Sequence, residues 1–136
     1  MNTQHPKQIL VVASHPDDEV LGCGGIIAKH ADQGDDVHIL LMSKGIDSRE
    51  KVGDHKADKY NLIKAGQKAS EILGAKSFDV LDFPDNRMDS VDLIDIVKAV
   101  EESVVRHNAK IVYTHHEGDL NVDHRITNQA VVTATR

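Results

Sequence analysis

The sequence predicts an α/β domain: a parallel sheet with helices on both faces. Short apolar runs of strand length alternate with helical periodicities from one end of the chain to the other. The runs at Ile9–Val12 and Val37–Met42 are nearly continuous in apolar residues, as strands covered on both faces are. Glycine or proline marks the joins, at Gly34, Gly74 and Pro84.

Ile9-Leu10-Val11-Val12 reads as the first strand, and Leu21, Ile26, Ile27, Ala28 and Ala31 as a helix face ending near Gly34. Val37 to Met42 is the second strand, followed by a polar loop from Ser43 to Asp54. Leu62, Ala65, Ala69, Ile72 and Leu73 give the next helix its face, and Gly74 stops it. Phe78 to Phe83 is the third strand, closed by Pro84. Ser90 or Asp89 can cap a helix with the apolar face Leu93, Ile94, Val97, Val100, Val104 and Val105. Lys110 to Thr114 is the fourth strand, and a polar loop from His115 to Val122 leads into a last helix beginning near Asp123. Residues 1–136 thus read as one domain. No stop signal follows Thr133-Ala134-Thr135-Arg136, so the expectation is the front portion of a longer one.

Acids number 22 against 16 Lys plus Arg, a net charge of −6, which repels nucleic-acid backbones. Cys23 has no second cysteine to pair with, which fits a reducing compartment. Met1 to Gln8 is polar, and no apolar run approaches the ~20 residues that cross a bilayer. The expected address is cytoplasmic, with neither nucleic acid nor membrane as a partner.

Three strand ends deliver chemically competent loops: His15, Asp17 and Asp18; then Lys44 and Arg49; then His115, His116, Asp119, Asn121, Asp123 and His124. Doubly wound strand orders place the first and fourth strands side by side, with a crevice between their carboxyl ends. Two His/Asp clusters would face each other there. Imidazole mixed with one carboxylate favours zinc, or another divalent transition metal, over calcium or magnesium. His15, Asp18 and His124 would ligate, leaving Asp17 beside the metal's water, whose pKa falls to about 7 on zinc. Each acid alone would read as a helix cap and His124 alone as a half-exposed helix residue; their joint occurrence favours a site. Cys23, among glycines and with no neighbouring histidine, reads as a packed residue.

Ser14-His15-Pro16-Asp17-Asp18-Glu19 resembles the (A)HPDDE signature of the LmbE-like, or PIG-L, zinc-dependent N-deacetylases. His115 through Arg125 resembles that family's second motif, and Phe83 to Arg87 and Gly45 to Arg49 match further segments. The resemblance implies a Rossmann-like three-layer α/β/α fold and removal of an N-acetyl group, usually from a small glucosamine-containing substrate. It implies His15, Asp18 and His124 as Zn2+ ligands, Asp17 as general base and Asp123 as an acid that orients a histidine. Arg49, Arg87 and His116 fall to the substrate side, and a homo-oligomer is in keeping with relatives. Asn121 stands where many members carry a histidine; an amide can hold an oxyanion but cannot act as an acid.

Overall fold

The computed structural model describes residues 5–45 and 55–136. In chain order these form β1 (Gln8–Ala13), α1 (Asp18–Asp32), β2 (Asp36–Leu41), α2 (His55–Ile72), β3 (Ser77–Val80), a 3-10 turn (Met88–Ser90), α3 (Leu93–His107), β4 (Ile111–Tyr113) and α4 (Val122–Ala134). The strands lie in the order β3-β2-β1-β4 and every pairing is parallel. Side chains alternate across a strand, so each apolar run feeds two cores. Leu10, Val12, Leu40 and Met42 pack on one face with Ile96, Val97 and Val100 of α3 and Ala130 and Val131 of α4. Ile9, Val11, Val37, Ile39 and Leu41 pack on the other with Ile27 of α1, and Leu73 joins them after α2. These are the three layers that the unbroken apolar runs called for. No helix among the described residues is long and apolar enough to cross a membrane.

Several boundaries move. The third strand stops at Val80 instead of reaching Phe83. Leu81 and Phe83 still donate to Leu41 and Met42, so the edge goes on as irregular pairing. Met88–Ser90 forms a 3-10 turn, and the N-cap place of α3 falls to Asp92, whose side chain makes no capping bond, not to Ser90 or Asp89. Leu93, Val97, Val100 and Val104 follow the buried stripe of α3. Ile94 and Val105, on its flank, are 55% and 78% exposed, as is Ile72 of α2 at 77%. Apolar periodicity set the stripe too wide.

Near the amino end of the inner strand β2, His38 stacks on His107 of α3, ring centroids 3.8 Å apart. Its ring nitrogens lie 2.9 Å from Ser77 Oγ and 3.2 Å from Gln8 Oε1. Burial and then the neighbouring His107 push the imidazole below its ordinary value, against the opposing pull of Asp36 and Asp79; Lys76 adds to the lowering. With the folded pKa depressed, the fold favours neutral His38. Its contribution is complete above the unfolded value of 6.5 and is lost as pH falls below that value and through the lowered folded one. The melting temperature should therefore fall from about pH 7.5 to about pH 5.5, and fall less in a His38→Gln variant. Equal losses in both proteins would clear His38 of the effect.

Candidate metal centre

The chain runs from β1 outward through β2 to β3, then crosses back to lay β4 on the other side of β1. The crevice at this reversal lies beyond the carboxyl ends of β1 and β4, where open α/β sheets place their sites. His15 leaves β1 two residues after Ala13, and His115 leaves β4 two residues after Tyr113. α4 then brings His124 in on its first turn. Asn121 caps that helix: its side-chain oxygen accepts from the N–H groups of Asp123 and His124 at 2.9 and 3.4 Å. Such a cap is worth about 1 kcal/mol.

The two motifs, a hundred residues apart, converge. Asp18 Oδ2 lies 3.3 Å from His15 Nδ1 and 3.1 Å from His124 Nε2. The rings of His15 and His124 are 5.3 Å apart and tilted by 43°. All three side chains are only 14–16% exposed. One ligand atom from each falls within 4.8 Å of the others, the spacing of a metal-binding group. Two imidazole nitrogens and one carboxylate oxygen suit zinc or a related divalent ion. The donor set fits the metal that the sequence called for.

Each histidine of the trio has a carboxylate on its other nitrogen. His15 Nε2 bonds Asp123 Oδ2 at 2.8 Å, with Asp85 Oδ1 at 3.3 Å. Asp123 is fully buried and also accepts the backbone N–H groups of Asn86 and Met88, at 2.6 and 3.0 Å. Asp119 Oδ2 lies 3.1 Å from His124 Nδ1, an ion-pair distance whose angle falls short of a hydrogen bond. Partners of this kind fix which nitrogen a histidine offers to a metal. Burial alone would lower His15, but the hydrogen bonds and charges of Asp123 and Asp18 outweigh it and lift the ring to about 9. Burial opposes the Asp18 and Asp123 carboxylates too; the His15 hydrogen bonds and the groups around them still hold both below the ordinary range.

His115 received no role from the sequence, yet it stacks on His124 with centroids 3.9 Å apart and planes 12° apart. Its Nε2 accepts the Ser14 N–H at 2.9 Å. That bond requires a neutral ring, and burial beside His124 holds its pKa down at about 4. His115 with Asp119 and His124 also meets the spacing of a metal-binding group, but its Nε2 lone pair is taken by the Ser14 N–H. His115 therefore braces the β1 exit and the face of His124. Its offset from β4, matching that of His15 from β1, was the available signal.

The remaining candidates fall as follows. Asp17 is exposed, next to Asp18, at the N-cap place of α1. The Asn121 Nδ2 group donates to Asn86 Oδ1 at 3.0 Å. His116 is exposed, and its Nδ1 accepts the Gly118 N–H at 3.0 Å. Arg87 is exposed ahead of the 3-10 turn. Arg49 lies outside the described residues.

Fold and site together define an α/β protein with a histidine–carboxylate group that could hold a metal ion at its topological switch point. The chain belongs to the GlcNAc-PI de-N-acetylase (PIG-L) family, whose model it matches over residues 10–135. It is 31% identical over 135 residues to the uncharacterized deacetylase YaiS of Escherichia coli, covering 96% of this chain and 69% of that one. With the diacetylchitobiose deacetylase of Thermococcus kodakarensis it shares 36% identity over 85 residues, 60% of this chain and 31% of the relative. Among solved structures, GalB, the 4-carboxy-2-hydroxymuconate hydratase of Pseudomonas putida, superposes with a TM-score of 0.82 at 29% identity. That match covers 94% of this chain and 55% of the hydratase. Against several relatives, then, the chain spans about half their length or less.

Proposed function

We propose that the chain is a zinc-dependent N-deacetylase acting on a small N-acetylglucosamine-type substrate. The convergence of His15, Asp18 and His124 on one point, with the exposed Asp17 next to Asp18 in the chain, is the observation that carries this reading. These three residues would hold the metal, and zinc there would polarise the amide oxygen and acidify a water. Asp17 would accept the proton that the attacking water loses as the water oxygen bonds to the acetyl carbonyl carbon. Asn121 Nδ2 carries two hydrogens and gives one to Asn86; the other is available to the developing oxyanion. As the C–N bond breaks, Asp17 returns the proton to the departing amine, leaving acetate and a free amino sugar. Asp123 keeps His15 in place through its Nε2. Arg49, Arg87 and His116 are assigned to the substrate side.

The test is acetate release across a panel of N-acetylglucosamine derivatives, with zinc-loaded and chelator-treated protein. Acetate from the zinc-loaded sample alone is expected. Sugar binding that survives chelation, with no acetate in either sample, would instead mark a binding module without catalysis. Product analysis that finds a larger acyl group released in place of acetate would make the chain an amidase of wider scope.

A second reading, hydration of an unsaturated acid, is favoured by the likeness to the hydratase structure. It predicts loss of the substrate's double-bond absorbance without acetate.

A further inference from the structure

Glu19 is the one acid of the run Asp17-Asp18-Glu19 that the proposed chemistry leaves without a task, and it lies deepest. It is 1% exposed, in the first turn of α1. Its Oε2 accepts the Asp17 backbone N–H at 3.0 Å, while Oε1 is buried with no hydrogen-bond partner. Burying a carboxyl group with one oxygen left over is unfavourable. Packing alone would put an apolar side chain here.

What Glu19 holds is unusual backbone. Asp17 has φ 98° and ψ −28°, a left-handed conformation that residues with a Cβ rarely adopt. Asp17 occupies the N-cap place, yet its side chain makes no capping bond. Its carbonyl oxygen accepts from Val20 and Leu21, at 3.1 and 2.9 Å, and its N–H goes back to Glu19. On the next residue, Asp18 Oδ2 accepts the His15 N–H at 2.9 Å and faces the two histidine rings. The left-handed turn thus separates two adjacent carboxylates, one exposed and one drawn in among imidazoles.

We propose that Glu19 is a positioning residue: by accepting the Asp17 N–H it keeps Asp17 in the left-handed turn, and so keeps Asp18 directed at His15 and His124. This rests on the reading of those three residues as metal ligands, and not on which reaction they support.

The experiment compares Glu19→Leu, Glu19→Gln and the double variant Glu19→Leu with Asp17→Gly. Zinc affinity is read by competition with a chromophoric chelator, and exchange of the residue-17 amide is read by NMR on metal-free protein. Glu19→Leu should lose about tenfold in zinc affinity with its helical circular dichroism intact. Glu19→Gln, whose amide oxygen can still accept, should bind zinc as the wild type does. Asp17→Gly should restore affinity to the Leu variant, because glycine takes positive φ without the Cβ penalty and needs no clamp. The residue-17 amide should exchange slowly in the wild type and in Glu19→Gln, and fast in Glu19→Leu. Wild-type affinity and slow exchange in Glu19→Leu would overturn the proposal, as would a folded double variant that recovers nothing. If Glu19→Leu does not fold, the double variant decides: folding with wild-type affinity supports the role, and failure of either ends it. If the wild type takes up no zinc, the metal reading fails by itself, and amide exchange alone decides the role of Glu19.

Discussion

Replacing Asp17 with Asn lowers the rate of acetate release by a factor of about 10²–10⁴, the usual contribution of a positioned proton acceptor, and leaves zinc affinity unchanged. The separation of these two readouts follows from the turn. Asp18, not Asp17, sits 3.1–3.3 Å from the nitrogens of His15 and His124. Asp17, one residue earlier, is exposed in a left-handed turn and makes no capping bond, so its carboxylate is not among the groups packed against the two rings. An amide of the same shape fits the same space but cannot take a proton from water at neutral pH. The decisive measurement pairs single-turnover acetate release with chelator competition on one preparation. A variant with full zinc occupancy and undiminished turnover would remove Asp17 from the role. A variant that loses zinc as well would show that Asp17 belongs to the ligand set.

Asp123→Asn should weaken zinc binding by about 10–100-fold, the common effect of removing a carboxylate behind a ligating histidine. Asp123 is fully buried and accepts from three donors: His15 at Oδ2, Asn86 N–H at Oδ2 and Met88 N–H at Oδ1. An asparagine has one oxygen for this work. Turned one way, its NH2 meets the Met88 N–H; turned the other, it meets the Asn86 N–H and the His15 ring. In the second case His15 can accept only by moving its own proton to Nδ1, the nitrogen that faces Asp18 and would meet the metal. A buried donor left facing a donor costs about 1–3 kcal/mol, so the melting temperature should fall together with the affinity. Unchanged chelator competition would show that His15 needs no partner, and Asp123 would then be a brace for the Asn86–Met88 backbone alone.

Much of this fold is legible in the sequence. Unbroken apolar runs separated by amphipathic helices allow few arrangements other than a parallel sheet between two helical layers, since both faces of such strands must be covered. What blurred was local. The third strand lost its last residues to an irregular edge, and the 3-10 turn at Met88–Ser90 carries no periodicity long enough to read. The sequence offers Asn121 for its chemistry, as an oxyanion donor. The structure shows that its oxygen caps α4, a task that any Asn ahead of a helix start can take.

Among the site residues, sequence pattern alone picked out His15, Asp18 and His124 as a candidate ligand set, because residue type and position after a strand are properties of the chain itself. Which acid serves which histidine was decided only by tertiary structure. Asp123 adjoins His124 in sequence, but neighbours on a helix point about 100° apart and cannot bond side chain to side chain. The fold instead carries Asp123 across the crevice to His15, 108 residues away in sequence, and brings Asp119, from the loop before α4, to His124. His115 enters in the same way, by β4 lying next to β1. A sequence lists the donors; only the approach of the β1 and β4 ends and the first turn of α4 determines which nitrogen each carboxylate meets.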